Sequence, residues 1–261
     1  MFATVRPLQQ YTLTPRTFHP DMTDSIRLSK RVAELRACSR REAEQIITGG
    51  WVRVDGVVIE EPQFRVAGQH IEIDPKADPS QIEPVTLLLH KPAGVRISDD
   101  DKTALQLLRT DTLWEHDGTG IPPLKAHFTQ LTACVPLETD ASGLIVFTQD
   151  WRVVRKLTDD AATLEHEVIV EVSGELIPNG LKRLNKGIPY HGHTPAAIKV
   201  SWQNETRLRV ALKGCQIGQI AHLCEAVGLQ VVSMKRIRLG GIPLAKVPPG
   251  QWRYMREDER F

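Results

Sequence analysis

The segment Pro136-Leu137-Glu138-Thr139-Asp140-Ala141-Ser142 sets two carboxylates and a hydroxyl in a polar turn directly before the apolar run Leu144 to Thr148. A carboxylate in such a turn suits acid, base or nucleophilic work, because the strand fixes the backbone while the loop leaves the side chain accessible. Glu138 and Asp140 are the carboxylates the turn offers. Acidic residues in a turn also cap it or simply face water, so the turn marks a place for chemistry without naming a reaction.

Two further groups are basic. Between Ser25 and Gly56 seven bases (Arg27, Lys30, Arg31, Arg36, Arg40, Arg41, Arg53) stand against four acids. Arg40 and Arg41 fall in the first turn of a helix, where unpaired backbone N–H groups favour anions, so a phosphate can be held there. A solvated charged face has the same composition. From Val231 to Arg256 there are six bases (Lys235, Arg236, Arg238, Lys246, Arg253, Arg256) and no acid, with Trp252 and Tyr254 interleaved. Such a stretch tracks RNA, or pairs as a solvated strand and tail with core aromatics; the residue types fit both.

Metal chemistry finds no ligand set. Cys38, Cys134, Cys215 and Cys224 form no C-x-x-C pair, and the closest histidines, His191 and His193, have no carboxylate partner at useful spacing. Reduced, mostly packing cysteines and no metal are the expectation. Over all 261 residues, 33 bases against 32 acids leave a formal charge of +1, which excludes a uniformly basic nucleic-acid coat; any such site is a local patch. No apolar run approaches the roughly 20 residues of a membrane span, and residues 1–24 lack a signal peptide's apolar core. The expected address is the cytoplasm.

The elements that must position these residues follow from periodicity. Residues 1–24, with Pro7, Pro15 and Pro20, read as a disordered tail. Leu28, Val32 and Leu35 recur at helical spacing, and Ser39 with Glu42 forms a capping box opening a second helix that Gly49-Gly50 stops. Trp51 to Val54, Asp55-Gly56 and Val57 to Ile59 read as a hairpin with a type I′ turn, and His70 to Ile73 as a further strand. Residues 25–74 thus form one module, 75–85 a proline-bearing linker, and 86–256 a second domain. There Leu87 to Leu89, Leu144 to Thr148, Val168 to Val172 and Thr206 to Leu212 read as strands. Helices run over Trp151 to Leu157 and from about Gln216 to Gly228, with Ile217, Ile220, Leu223, Cys224 and Val227 on one stripe. Strands dominate and helices are inserted singly, so the fold class is α+β with a mainly antiparallel sheet.

RLSKRVAELRACSRREAEQIITGGWVRVDG resembles the alpha-L RNA-binding module, over roughly residues 26 to 74 and including the SRREAE core. That resemblance implies a two-helix face gripping the phosphates of structured RNA through Lys30, Arg31, Arg40 and Arg41, with Arg36 and Arg53 beside them. Together with TLLLHKPAGVRIS, ASGLIVFTQD and KRIRLGGIPLAKVPPGQWR, the chain resembles ribosomal-RNA pseudouridine synthases of the RsuA and RluF kind over nearly all of residues 26 to 255. Those enzymes flip a uridine from its stack, detach the base, rotate it and rejoin it through carbon, without a cofactor.

The resemblance also assigns positions. The family's aspartate, in G-R-L-D-x-D-x-x-G-L, falls on Glu138 of Val135-Pro136-Leu137-Glu138-Thr139-Asp140, which makes Glu138 the implied catalytic carboxylate and Asp140 the fallback if the turn is rebuilt around Pro136. The tyrosine of a lysine-x-tyrosine pair, whose ring meets the target base, falls on Val168 of His166-Glu167-Val168, and the arginine or histidine opening R-Q-I-R-R-M falls on Gly218. Two readings follow: an isomerase that uses Glu138, with Lys91, Lys235 and Arg236 holding RNA, or an RNA-binding relative with weak or no chemistry. Structured RNA, ribosomal in class, is the implied partner in both.

Overall fold

The computed structural model describes residues 25–79, 83–97, 103–192 and 198–261. The expected tail and His193 lie outside the described residues. The chain divides into two compact units, residues 1–80 and 81–261.

In the first unit, β1 (Ile26–Arg27) leads into α1 (Leu28–Arg36) and α2 (Arg40–Thr48), followed by β2 (Val52–Val54), β3 (Val57–Val58), β4 (Arg65–Val66) and β5 (Ile71–Ile73). The capping box forms: Ser39 Oγ accepts the Glu42 amide and the Glu42 carboxylate accepts the Ser39 amide at 2.7 Å. β2 pairs antiparallel with both β3 and β5. Asp55 and Gly56 both have positive φ (50° and 81°), as a type I′ turn requires. Leu28, Val32, Ala43, Ile46, Ile47, Val52 and Val54 make the core. Leu35, on the same helical spacing, stays 49% exposed. Ala77, inside the segment read as linker, is buried in this core, and its carbonyl accepts the Arg36 guanidinium at 3.3 Å.

The second unit contains β6 (Thr86–Lys91), β7 (Thr132–Cys134), β8 (Ser142–Thr148), α3 (Trp151–Asp159), β9 (Glu165–Gly174), α4 (Gly180–Asn185), β10 (Ile198–Trp202) and β11 (Arg207–Lys213). There follow α5 (Gln219–Glu225), β12 (Leu229–Leu239), β13 (Ile242–Pro243) and β14 (Trp252–Tyr254). Among the described residues they build one sheet in the order β10-β11-β9-β12-β8-β6-β14, with β7 and β13 attached to β8 and β12. Every pairing is antiparallel except β8 with β12. That parallel contact is close: a Cβ on Gly143 (φ 117°) would lie 2.3 Å from the Arg236 carbonyl oxygen, so only glycine permits it. The fold is α+β with a mainly antiparallel sheet.

Two expectations change here, and one open alternative closes. The helix read from Gln216 begins at Gln219, because Gly218 takes φ 79° and ends the preceding turn; Ile217 is consequently 52% exposed instead of lying on the apolar stripe. Of the two readings of residues 231–256, the one with core aromatics holds for Trp252 and Tyr254, which are fully buried in β14. The unit also continues past residue 256, since the Glu259 carboxylate is buried against Arg253 and Phe261 joins a core cluster. No helix among the described residues is long and apolar enough to cross a membrane.

Candidate active site

The turn between β7 and β8 is built from beneath by two buried cations. Arg236, on β12 and 2% exposed, donates to three carbonyls: Leu144 (2.8 Å), Val135 (2.6 Å) and Pro136 (3.4 Å). Lys91, at the end of β6 and fully buried, donates through Nζ to Pro92 (3.0 Å), Val95 (2.8 Å) and Thr139 (2.9 Å). The guanidinium fork explains how Val135, a β-branched residue, is held at φ 52°, where such residues are strained. Lys91 and Arg236 were read from the sequence as RNA-holding residues; they are corrected to supports of the turn, since burial obliges each to satisfy its donors on protein carbonyls.

Above these cations lies a cleft of about 290 Å³. Glu138 lines it together with Leu137, Ala141, His166, Val168, Cys215, Ile220, Met234 and Arg236. Glu138 Oε1 accepts the backbone N–H of Gly218 at 2.8 Å. Asp140 is exposed and is not among the lining residues, so the fallback carboxylate stands outside the cleft.

The amide that holds Glu138 is itself held. The Ile217–Gly218 peptide unit donates through its N–H to Glu138, and its C=O accepts the Tyr190 hydroxyl at 2.9 Å. Gly218 leaves room for this arrangement, because a Cβ there would sit 2.8 Å from the Tyr190 oxygen on a backbone with φ 79°. Nothing in the motif spacing pointed to Tyr190, which is 28 residues away in sequence.

The electrostatics follow from burial. Desolvation pushes the Arg236 guanidinium down to about 10, with Cys215 and Glu138 acting in the opposite sense, so it stays cationic at neutral pH beside the carboxylate. Burial likewise takes Lys91 down to about 8, against the opposing pull of Asp140 and Glu138. His166 falls to about 3 through burial and the nearby Arg236 charge, so it is a neutral ring. The Cys215 thiol is raised to about 12 by burial and then by Glu138, which makes it an unreactive part of the wall. A carboxylate over a buried cation, with apolar walls, suits binding an uncharged planar group at whose edge the carboxylate can accept or transfer a proton.

The other arginines of the basic stretch are paired. Arg238 binds Glu167 at 2.7 Å and also Glu165, Arg209 binds Glu167, and Arg253 grips Glu259 through both nitrogens at 2.6 and 2.7 Å. Acids absent from residues 231–256 arrive from β9 and from just beyond the stretch. Lys235 remains exposed.

In the first unit Lys30, Arg31, Arg40 and Arg41 are all exposed, as a phosphate-binding role needs. Arg31 pairs with Glu34 at 3.3 Å and Arg40 with Glu44 at 3.1 Å, both in water. Arg53 is exposed and donates to the Gly56 carbonyl at 3.3 Å.

Residues 26–71 match the family model described as the S4 domain. The chain is 29% identical over 243 residues to an uncharacterized RNA pseudouridine synthase of Aquifex aeolicus (strain VF5), covering 90% of this chain and 94% of the relative. It is 27% identical to ribosomal small subunit pseudouridine synthase A of Escherichia coli (strain K12), over 90% and 98% of the two chains. Dual-specificity RNA pseudouridine synthase RluF of Salmonella typhi is also 27% identical, over 91% and 78%. The chain is a homologue of these pseudouridine synthases. A crystal structure of a pseudouridylate synthase superposes with a TM-score of 0.55 at 20% identity, over 89% of this chain and 96% of that one, and so shares the fold.

Glu138 and Val168 line one cleft and the Gly218 amide binds Glu138 there, although up to 80 residues separate the three in sequence. Register explains it: β9 and β12 pair Val168 with Arg236, and β12 pairs with β8 directly after the turn.

Proposed function

We propose that the chain binds structured RNA of ribosomal class, gripping phosphates through Lys30, Arg31, Arg40 and Arg41 of the S4 domain, and that the second unit's cleft receives a nucleotide with little or no isomerisation. The S4 match and the named relatives support the RNA; the cleft supports the weak chemistry. The observation that carries this reading is the Gly218 position. Where the resemblance expects a cation beside the carboxylate, a backbone amide at φ 79° binds Glu138 and the Tyr190 hydroxyl fills the space of a side chain. Val168, 4% exposed, offers no ring for an exposed base, and stacking of that kind is worth about 1–3 kcal/mol per base. Glu138 also reaches one methylene further than an aspartate, and misplacing a reacting atom by about 1 Å costs on the order of a hundredfold in rate.

One observation favours an active isomerase: Glu138 does line the cleft, and the buried Arg236 charge lies within electrostatic reach of it. Release of the hydrogen on carbon five of uridine separates the two, because every true isomerisation must expel it. The expected result is little or no release from ribosomal RNA or its fragments. Stoichiometric release that Glu138→Gln abolishes would establish Glu138 as the catalytic group and end the weak-chemistry reading. Loss through Asp140→Asn would instead move the carboxylate by two residues.

A further inference from the structure

The C-terminal basic stretch, with most of its cations buried or ion-paired, leaves open where the second unit would meet an RNA chain. Residues 176–204 contain no aspartate or glutamate but carry Lys182, Arg183, Lys186 and Lys199. All four are exposed. Several other exposed cations of this unit have partners: Arg152 with Asp150, Arg155 with Asp159, Lys156 with Asp160, Arg207 with Glu171 and Arg256 with Glu259. Among the described residues the four have no such pairing, which leaves their charge open to a polyanion.

Lys182, Arg183 and Lys186 sit on α4 or at its end, whereas Lys199 alternates with the inward-facing Val200 and so stands on the sheet face opposite α4. β10 is an end strand of the sheet, and α4 lies along it: the Asn185 amide donates to the Val200 carbonyl and accepts its N–H, both at 2.9 Å. This occupies the edge that would otherwise invite another strand. From Lys186 the chain runs four residues to Tyr190. There the Tyr190 ring packs against His191 and His222 at 4.2 and 5.3 Å, and its hydroxyl bonds the Ile217 carbonyl at the cleft wall. His222 in turn bonds the Pro189 carbonyl at 3.2 Å. Cations thus lead to a cluster of aromatic rings, of which Tyr190 is tied to Ile217, a residue of the cleft wall. Phosphate neutralisation beside ring faces is the combination that seats a single-stranded nucleic-acid segment.

We infer that α4, through Lys182, Arg183 and Lys186, forms a second RNA-backbone contact surface that leads a nucleotide past Tyr190 into the Glu138 cleft. The inference rests on the RNA-binding reading above. An acidic peptide satisfies the charge but has no use for the rings.

The test uses the full chain and an RNA hairpin with a uridine-containing single-stranded loop, with affinity measured by fluorescence anisotropy over a series of salt concentrations. Lys182→Gln/Arg183→Gln/Lys186→Gln should weaken binding about tenfold or more near physiological salt and reduce the log–log salt slope by about three. Arg155→Gln/Lys156→Gln on α3, whose cations are ion-paired, should leave both unchanged. If the α4 variant keeps the wild-type slope while Arg40→Ala/Arg41→Ala lowers it, the α4 surface is overturned and RNA binding by the S4 domain stands. If the wild type shows no salt-dependent binding to the hairpin, the RNA-binding reading fails and this inference with it. Equal competition by polyglutamate and by unlabelled hairpin would overturn RNA as the occupant.

Discussion

In the first unit, cations stand on helix faces with their charged ends in water, and their acidic partners are one helical turn away. Beneath the cleft of the second unit, Lys91 and Arg236 are sealed from solvent and answer six carbonyl contacts between them. The same residue types therefore do opposite work. An exposed cation keeps its hydration and can exchange it for a phosphate, whereas a buried one has lost its hydration and must be repaid by fixed protein dipoles, which it then immobilises. Stability should be sensitive to the buried set and nearly indifferent to the exposed set, while RNA affinity should show the reverse.

The sharpest break of this contrast is Arg236→Met. It leaves the Leu144, Val135 and Pro136 carbonyls without their donor and releases the strained Val135 turn, so it should cost about 3–5 kcal/mol in urea unfolding. A loss under about 1 kcal/mol would show that Arg236 does not hold the turn.

Acid stability gives the next effect. His166 is neutral in the folded state down to about pH 3, while in the unfolded chain it takes a proton near 6.5. Below 6.5 the unfolded state binds the extra proton, so this contribution is full above 6.5 and declines as pH falls toward 3. Stability measured over that window should fall more steeply for the wild type than for His166→Gln. Parallel curves would place His166 in contact with water.

Smaller changes probe the clamped peptide. Gly218→Ala forces a Cβ onto the Tyr190 oxygen at positive φ and should cost about 1–3 kcal/mol. Tyr190→Phe, which removes only the hydroxyl on the Ile217 carbonyl, should cost about 1 kcal/mol and speed hydrogen exchange of the Gly218 amide. Unchanged exchange would mean that Tyr190 does not anchor this peptide. Gly218→Arg is expected to destabilise without restoring isomerisation, whether or not Val168→Tyr and Glu138→Asp accompany it.

The smallest stability effect belongs to the first unit. Arg40→Ala/Arg41→Ala removes one exposed ion pair and should change stability by less than about 0.5 kcal/mol while weakening RNA binding. A large loss of stability would erase the distinction between the two sets of cations.

Much of this was readable along the chain. The capping box at Ser39 and Glu42, the Asp55-Gly56 hairpin and the apolar strands are local: a few neighbouring residues settle the backbone through hydrogen bonds and allowed dihedral angles, so their types suffice. The motif turn around Glu138 was legible for the same reason. The fate of each cation was not. β12 carries register shifts between Val231 and Ser233 and between Arg236 and Arg238, so alternation along the strand does not say which side chain turns inward. The partners of Arg238 and Arg253, Glu165, Glu167 and Glu259, lie outside the stretch that looked free of acids. Composition within a window cannot register a carboxylate delivered by another strand. Tyr190 reaches the Glu138 site only because the chain from α4 returns beside α5, where a glycine leaves it room. The sequence by itself determined the local elements and which residues carry charge or rings. Tertiary structure alone decided which charges meet water and which meet carbonyls, because burial is a property of the assembled sheet and not of any segment within it.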